Sequence, residues 1–247
     1  MKLVVDLQSI SRDHIPFNTA FLKLLRQAAR NEPIAMLCRQ DHADAIAPYV
    51  ADDDIRFLAL PSHLHEPPRG RFVRFNEREQ HAFVETIWRQ TSADHLILLG
   101  CRADMLERLR RRPPPVAMDV VLHATLAEGI KWRSRNPLRR RRDMFATLRR
   151  RFPSTVRLIF LEQGIADRAR PLIGRDTQYA ILPHPIVGSP METAPGPDRH
   201  MIKVGFLGED AMGKGFAHFM ELARHAPPHL QLRVEHDQDC TYPAWRR

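Results

Sequence analysis

The sequence of 247 residues contains few cysteines, few aromatic residues and no long apolar run. Its three cysteines, Cys38, Cys101 and Cys240, show no CxxC spacing, which argues against a zinc knuckle or a disulfide framework and favours a reduced, cytoplasmic chain. No stretch approaches the roughly 18 apolar residues that a membrane-spanning helix needs. The apolar run after Met1 is too short for the core of a signal peptide, so we expect no secretion.

Lysine is also scarce. The basic residues are 33 Arg and 5 Lys, and the formal net charge is +9. Residues 101–175 contain 19 basic and 7 acidic residues, whereas the rest of the chain contains 19 and 22. The basic excess therefore lies in one middle segment. The hydrophobic fraction of 43% is enough for a sizeable core, which excludes a disordered chain.

Short apolar runs alternate with longer amphipathic stretches. The predicted strands are Lys2–Leu7, Ile34–Cys38, Ile55–Leu60, Leu96–Leu99, Val116–Leu122, Val156–Leu161 and Tyr179–Leu182. The predicted helices are Asn18–Arg30, His42–Val50, Asn76–Thr91 and Ala103–Arg112. Most strand runs are continuously apolar, as in a parallel sheet buried on both faces. The pattern predicts an α/β fold with a doubly wound, mostly parallel, Rossmann-like sheet.

Proline and glycine interrupt this pattern after residue 182. We interpret residues 1–187 as the first domain and residues 188–200 as a linker, because Gly188–Pro197 is rich in both residue types. A strand at Ile202–Leu207, a helix at Lys214–His225 and a strand at Leu230–Glu235 follow. Residues 201–247 are too few for a full domain, so we expect a short, incomplete second α/β unit.

A glycine-bearing loop joins the first strand and the helix of this second unit. Backbone N–H groups at Gly208, Gly213 and Gly215, together with the ammonium group of Lys214, form a candidate anion site. The spacing matches GxxxxGK, but Gly215 stands where a Walker loop needs Ser or Thr for magnesium. The alternative is an ordinary strand-to-helix turn with a solvated lysine.

These features together resemble the GT-B glycosyltransferases, nearest to family 4, with an N-terminal domain and the truncated start of a C-terminal donor domain. The stretch Gly208–Gly215 resembles the family's GRLxxxKG element, and Val120–Thr125 resembles its TxHD strand end. Residues Ile181–Ile186 resemble the strand that precedes the family's linker. Glu209 stands in the position of a phosphate-binding arginine, and no E-x7-E element follows Lys214.

The resemblance implies roles for individual residues. His123 takes the position of the family's catalytic-cleft histidine, and its place at the carboxyl end of a parallel strand supports a ligand contact. The alternative is a hydrogen-bonded structural histidine. His184 would lie at the cleft beside the linker, and Lys214 would bind the donor diphosphate. The resemblance implies no metal and no cofactor. His63 and His65 lie in a proline-flanked loop without further ligands, so we predict no metal site there.

An arginine-rich segment, Leu138–Phe152, is predicted to be an amphipathic helix with one apolar face. Its arginines are candidates for docking on an anionic membrane or on a partner protein: Arg139, Arg140, Arg141, Arg142, Arg149, Arg150 and Arg151. The alternative is a surface helix with a solvated cationic face. Nucleic-acid binding is disfavoured because few aromatic residues interleave with the arginines.

Two functions from different classes remain. The first is a glycosyltransferase that moves a sugar from a nucleotide-sugar donor to a glycan or lipid-linked acceptor, in cell-surface polysaccharide or glycolipid synthesis. Such a protein would be cytoplasmic or peripheral on the inner face of the membrane, and a truncated donor domain would leave it weakly active. The second is a non-catalytic binding module, a decayed transferase that docks on a membrane or partner.

Overall fold

The computed structural model describes residues 1–7, 9, 14–65, 77–101, 103–122, 144–185, 202–207, 216–227 and 230–235. The chain divides into two compact units, Met1–Val187 and Gly188–Arg247. In the first unit the described strands form one parallel sheet of seven, and in the second they form a parallel pair.

The seven-stranded sheet has the order β3-β2-β1-β4-β5-β6-β7, and every neighbouring pair is parallel. Its strands are β1 (Lys2–Val5), β2 (Ile34–Cys38), β3 (Ile55–Ala59), β4 (His95–Leu98), β5 (Ala117–Leu122), β6 (Val156–Phe160) and β7 (Gln178–Ile181). Five of them are almost entirely buried, as their continuous apolar sequences predict. The predicted fold class is therefore confirmed.

Helices alternate with these strands along the described chain. They are α1 (Ile15–Ala28), α2 (Gln40–Ile46), α3 (Ser62–His65), α4 (Glu77–Thr91), α5 (Ala103–Arg111), α6 (Met144–Leu148) and α7 (Gln163–Ala169). In the second unit α8 (Phe216–Arg224) lies between β8 (Ile202–Leu207) and β9 (Leu230–Glu235). The boundaries of β8 and β9 are those that the sequence predicts.

Each face of the seven-stranded sheet is covered by its own set of helices. One face packs Val4, Met36 and Ile97 against Phe17 and Phe21 of α1, and α2 belongs to the same apolar cluster. The opposite face, which includes Leu3, Leu96 and Val120, packs against α4, α5, α6 and α7. Alternate residues of each strand thus serve two cores, which explains why the strand sequences are apolar throughout.

An ion ladder crosses three strands on the α1 face, near their amino ends. Arg157 on β6 donates to both carboxylate oxygens of Asp119 on β5, at 2.7 and 2.8 Å, and Nε2 of His95 on β4 lies 2.9 Å from the same carboxylate. Burial raises the pKa of Asp119, but the hydrogen bonds from His95 and Arg157 outweigh it and leave that pKa below its ordinary value. The ladder ties neighbouring strands together.

The helices differ from prediction in several places, among them α2, which runs from Gln40 to Ile46 rather than from His42 to Val50. Helix α1 begins at Ile15 rather than Asn18, because Pro16 fits the first helical turn. The segment around His63 was predicted as a loop but forms the short helix α3, and α7 was not predicted. The predicted helix over Leu138–Phe152 ends at Leu148, and its residues before Met144 lie outside the described chain.

The early end of α6 depends on a close approach of two backbone segments. The N–H of Gly174 donates to the carbonyl oxygen of Leu148 at 2.9 Å and satisfies the last turn of α6. A Cβ atom at position 174 would lie 2.7 Å from the carbonyl oxygen of Arg150, closer than such atoms ever come. Only glycine fits at this crossing.

We expect Gly174→Ala to lower the free energy of unfolding by about 1–3 kcal/mol. The new Cβ atom would clash with a backbone carbonyl oxygen, and neither atom can move away by a side-chain rotation. Urea denaturation measures this change. Gly164→Ala is the matched control, because a Cβ there meets no atom within 4 Å. In α7 that alanine should leave stability unchanged or raise it by up to about 1 kcal/mol. Equal midpoints for the two variants would contradict the close approach.

Candidate functional site

The strand order reverses direction at β1, which lies between β2 and β4. The chain moves outward from β1 to β2 and β3, and it then returns to the other side of β1 as β4. In open parallel sheets, the loops beyond the carboxyl ends of two such strands diverge and leave room for a ligand. We call the region after β1 and β4, with the first turn of α1, the switch-point edge.

A buried carboxylate organises the loop after β1. Asp6 directly follows β1 and is 4% exposed. Its carboxylate accepts hydrogen bonds from the backbone N–H of Ser9 at 3.0 Å and from the Ser9 hydroxyl at 2.6 Å. A third hydrogen bond, at 2.7 Å, comes from the side-chain amide of Asn18 in α1. Asp6 therefore fixes both Ser9 and the start of α1 to the end of the central strand.

Asn18 continues this network to the next helix. Its amide nitrogen lies 2.7 Å from Nε2 of His42 on α2, and the ring of His42 is fully buried. Because the amide nitrogen donates, Nε2 is the acceptor. The side-chain oxygen of Asn18 and the hydroxyl of Thr19 are buried without a hydrogen-bond partner in the described part of the chain. The first turn of α1 is therefore rich in buried polar groups.

His14 lies immediately before α1 and is exposed. Its backbone adopts the left-handed conformation, with φ 57° and ψ 13°, which costs a residue with a Cβ free energy. The carbonyl oxygen of His14 accepts the first helical hydrogen bond from Asn18 at 2.8 Å. The strained backbone therefore holds an imidazole at the switch-point edge, and such strain is typical of functional positions.

His184, a sequence-predicted cleft residue, lies near the same helix end. Its ring meets that of Phe17, in the first turn of α1, edge to face with the ring centres 5.0 Å apart. Its Nδ1 lies 3.2 Å from the carbonyl oxygen of Pro185. The chain that leaves β7 therefore passes beside α1, and His184 is exposed there. Its predicted role stays a prediction.

Several predicted site residues lie outside the described chain. They are His123, Gly208, Gly213, Lys214, Gly215 and the arginines Arg139, Arg140, Arg141 and Arg142. His123 directly follows β5, and Lys214 precedes α8. Residues 188–200, which we interpret as a linker, also lie outside the described chain. All of these assignments stay predictions.

One of the described arginines of the docking segment, Arg150, is held by a carboxylate on helix α5. Arg150 forms a short ion pair with Glu107 of α5, and Arg110 and Arg111 donate to the same carboxylate at 2.7–2.9 Å. The hydrogen bond from Arg110 and the further cationic contacts lower the pKa of Glu107 to about 2, although burial opposes the shift. Arg149 and Arg151 are exposed, and Arg151 lies 3.6 Å from Asp176.

The described cysteines are poor nucleophiles. Burial and nearby carboxylates raise the pKa of Cys38 to about 12, and burial alone raises the pKa of Cys101. Among the described residues no three His, Cys, Asp or Glu side chains are grouped as metal ligands. Nor does any helix of the described chain have the length and apolar composition to cross a membrane.

The network around Asp6 and the strained backbone of His14 were not predicted from the sequence. Two signals could have found them. Asp6 breaks a continuous apolar run at a strand end, where a charge needs partners, and Pro16 marks a helix start that places His14 immediately outside α1. The contact of Asn18 with His42 spans 24 residues and joins two helices, so no local pattern indicates it.

Comparison with known proteins supports the fold. No protein family model matches the chain, and no curated protein matches its sequence. The crystal structure of UGT89C1 from Arabidopsis thaliana, complexed with UDP-L-rhamnose, matches 96% of this chain and 70% of its own at 11% identity and a TM-score of 0.60. The glycotransferase of kitacinnamycin matches 98% and 67% at 11% identity, but its TM-score is 0.46. Such low identity establishes the GT-B-like fold alone.

We expect His14→Gly to raise the free energy of unfolding by roughly 0.5–1 kcal/mol, because glycine adopts the left-handed conformation without strain. Thermal denaturation measures the change. His63→Gly, in the described helix α3, is the matched control and should lower stability by about 0.5–1 kcal/mol. A loss of stability in His14→Gly would mean that the imidazole contacts outweigh the backbone strain.

The pKa of Glu107 predicts an acid-sensitive contribution to stability. Its folded-state value of about 2 lies below the ordinary 4.5, so the contribution is complete above pH 4.5 and is lost as the pH falls toward 2. Glu107→Gln should lower the free energy of unfolding at pH 7 by about 1–3 kcal/mol and flatten its pH dependence in that window. Urea denaturation at a series of pH values measures both.

Glu85→Gln is the control for this pH series. Glu85 on α4 pairs with Arg89 one turn away, and both side chains are well exposed. Its replacement should cost no more than about 0.5 kcal/mol. If the two variants lose equal stability, the arginine contacts of Glu107 contribute no more than an ordinary surface pair.

Proposed function

We propose that the protein is a glycosyltransferase, which transfers a sugar from a nucleotide-sugar to an acceptor hydroxyl group. In this reaction the acceptor oxygen bonds to the anomeric carbon, the bond from that carbon to the diphosphate oxygen breaks, and the hydroxyl proton passes to a base. The proposal needs a base, an acceptor site and a cationic site for the leaving diphosphate.

The observation that carries the proposal is the GT-B-like fold over nearly the whole chain. The comparison structure covers 96% of the chain and was solved with a UDP-sugar, which makes UDP-sugars the first donors to test. The strand reversal at β1 supports a ligand at the switch-point edge, since loops diverge there. Finer assignments, to family 4 and to polysaccharide or glycolipid synthesis, rest on the short sequence motifs.

His14 is a candidate for the base. Histidine is the commonest general base, and an exposed imidazole held at the switch-point edge by a strained backbone is accessible to an acceptor. Asp6 and Asn18 would act as positioning residues, because their hydrogen bond fixes the first turn of α1, which begins directly after His14. His123 is the competing candidate, suggested by the sequence motif at the end of β5.

Lys214 is the candidate for stabilising the leaving diphosphate. Charge develops on the diphosphate as the glycosyl bond breaks, and an ammonium group beside glycine N–H groups favours that charge. Glu209 lies nearby in the sequence, and its negative charge opposes anion binding. The affinity for the donor should therefore be lower than in a protein with arginine at this position. We propose a cytoplasmic reaction, in accord with the unbridged Cys38 and Cys101.

Isothermal titration of the purified chain with UDP-sugars and GDP-sugars tests donor binding. We expect weak binding of one donor class, reduced about tenfold or more by Lys214→Ala, because one charge contact to phosphate contributes on the order of 1.5–3 kcal/mol. Lys23→Ala, a lysine change in α1, is the control and should leave binding intact. Binding that is equal in both variants would contradict the site around Lys214.

Turnover of the bound donor tests the base. Release of UDP or GDP in the presence of an acceptor mixture should fall by about a hundredfold or more when the catalytic histidine is replaced. His14→Gly and His123→Ala distinguish the two candidates, and donor affinity should survive in both. If turnover is unchanged in both variants, neither histidine is the base, and that part of the proposal is wrong.

The alternative is a non-catalytic module that retains the acceptor-side fold. The array of described arginines around Glu107 favours this function, because it forms a binding surface without any need for chemistry. The titration separates the two functions. Absence of any donor binding, with docking on an anionic partner retained, would establish the module.

A further inference from the structure

The structure brings together two arginine groups that lie far apart in the sequence. One group comprises Arg108, Arg110, Arg111 and Arg112 at the end of α5, and the other comprises Arg149, Arg150 and Arg151 after α6. The two helices share one apolar cluster, in which Leu106 and Leu109 of α5 lie with Phe145 and Leu148 of α6. We call these seven arginines the arginine face.

Glu107 organises the arginine face. Its carboxylate accepts hydrogen bonds from Arg110 and Arg111 on its own helix and from Arg150 on the other segment. Arg110 also donates to the carbonyl oxygen of Arg151 at 3.5 Å. These contacts join the two groups across 43 residues of sequence. Three of the seven side chains, those of Arg110, Arg111 and Arg150, are therefore held in place, and the other four surround them.

The charge of the array far exceeds what its carboxylates neutralise. Residues 103–112 and 149–151 carry seven arginines and two acidic residues, a formal charge of +5. Arg108, Arg112 and Arg149 are exposed, and Arg151 is 81% exposed beside Asp176, which is 67% exposed. None of the large exposed hydrophobic residues of the described chain belongs to this face. Binding there would be electrostatic, without insertion of apolar side chains.

The arginine face lies at the amino edge of the sheet. Helix α5 follows β4 and precedes the parallel strand β5, so it runs against the strands and ends beside their amino ends. Arg149–Arg151 lie in the connection between α6 and β6, and Asp176 lies shortly before β7. The switch-point edge is at the opposite, carboxyl ends, a strand length away, which is roughly 20 Å for β5.

We propose that the arginine face docks the protein on an anionic lipid bilayer. A cluster of four to eight basic residues is the composition that binds anionic headgroups, and guanidinium groups bind phosphate with two hydrogen bonds. The absence of exposed aromatic residues on the described face removes the stacking that single-stranded nucleic acid requires. Docked in this way, the protein turns its switch-point edge away from the lipid, so substrates at that edge come from solution.

Vesicle co-sedimentation tests the docking surface. The full chain should bind phosphatidylcholine vesicles that contain phosphatidylglycerol, should not bind vesicles of phosphatidylcholine alone, and should be released by high salt. The triple variant Arg108→Gln, Arg112→Gln, Arg149→Gln should bind about a hundredfold more weakly, since each basic residue near such a surface contributes about a factor of five. Circular dichroism checks that it folds.

The control carries the same change in net charge elsewhere on the first unit. Lys23 lies midway along α1, and Arg39 and Arg78 lie at the carboxyl edge, directly after β2 and at the start of α4. Their triple replacement by Gln should reduce binding by no more than about threefold. Equal losses in the two triple variants would overturn the proposal, because net charge alone would then explain binding. The proposal would also be overturned if the chain did not bind anionic vesicles, or if duplex or single-stranded RNA bound the same arginines more tightly. Sugar transfer is tested separately, at the opposite edge.

Discussion

The position of β1 between β2 and β4 is the constraint on which the first unit depends. Both neighbours pair with β1 in parallel and in register, so the four residues from Lys2 to Val5 align the two halves of the sheet. The alternation of side chains along β1 gives Val4 to one core and Leu3 and Val5 to the other. The same placement makes the loops after β1 and β4 diverge, and it fixes where a ligand can bind.

The two ends of the sheet carry different chemistry because of how α/β units are wound. Loops that follow strands supply Asp6, Ser9 and His14 at the carboxyl edge, where a buried carboxylate fixes short-range geometry. The end of α5 and the segment after α6 supply arginines at the amino edge, where the exposed charges act over roughly a Debye length, about 8–10 Å. Precise positioning and long-range attraction are therefore separated within one small domain.

The strands were predictable because burial on both faces leaves a continuous apolar signal, and β2, β8 and β9 have the boundaries that the sequence predicts. The helices were less predictable where tertiary contacts decide their ends. Helix α6 stops where Gly174 crosses it, and Gly174 lies 26 residues beyond Leu148 in the sequence. For the candidate site, the sequence indicates histidines near strand ends, whose roles stay predictions. The Asp6 network and the α5 half of the arginine face depend on contacts between distant segments that no local pattern contains.

The strand order has a consequence for synthesis on the ribosome. The Met1 ammonium group pairs with Asp94, 93 residues away, so the amino terminus is fixed only after β4 has emerged. From β4 onward every new strand adds beside the one made just before it, in the order β4, β5, β6, β7. The free edges of β4, β5 and β6 are thus unpaired only until the next strand arrives, and the time in which another chain could pair with them is short. Only β1 remains without its second neighbour while two further strands are made, and its other side is already paired with β2.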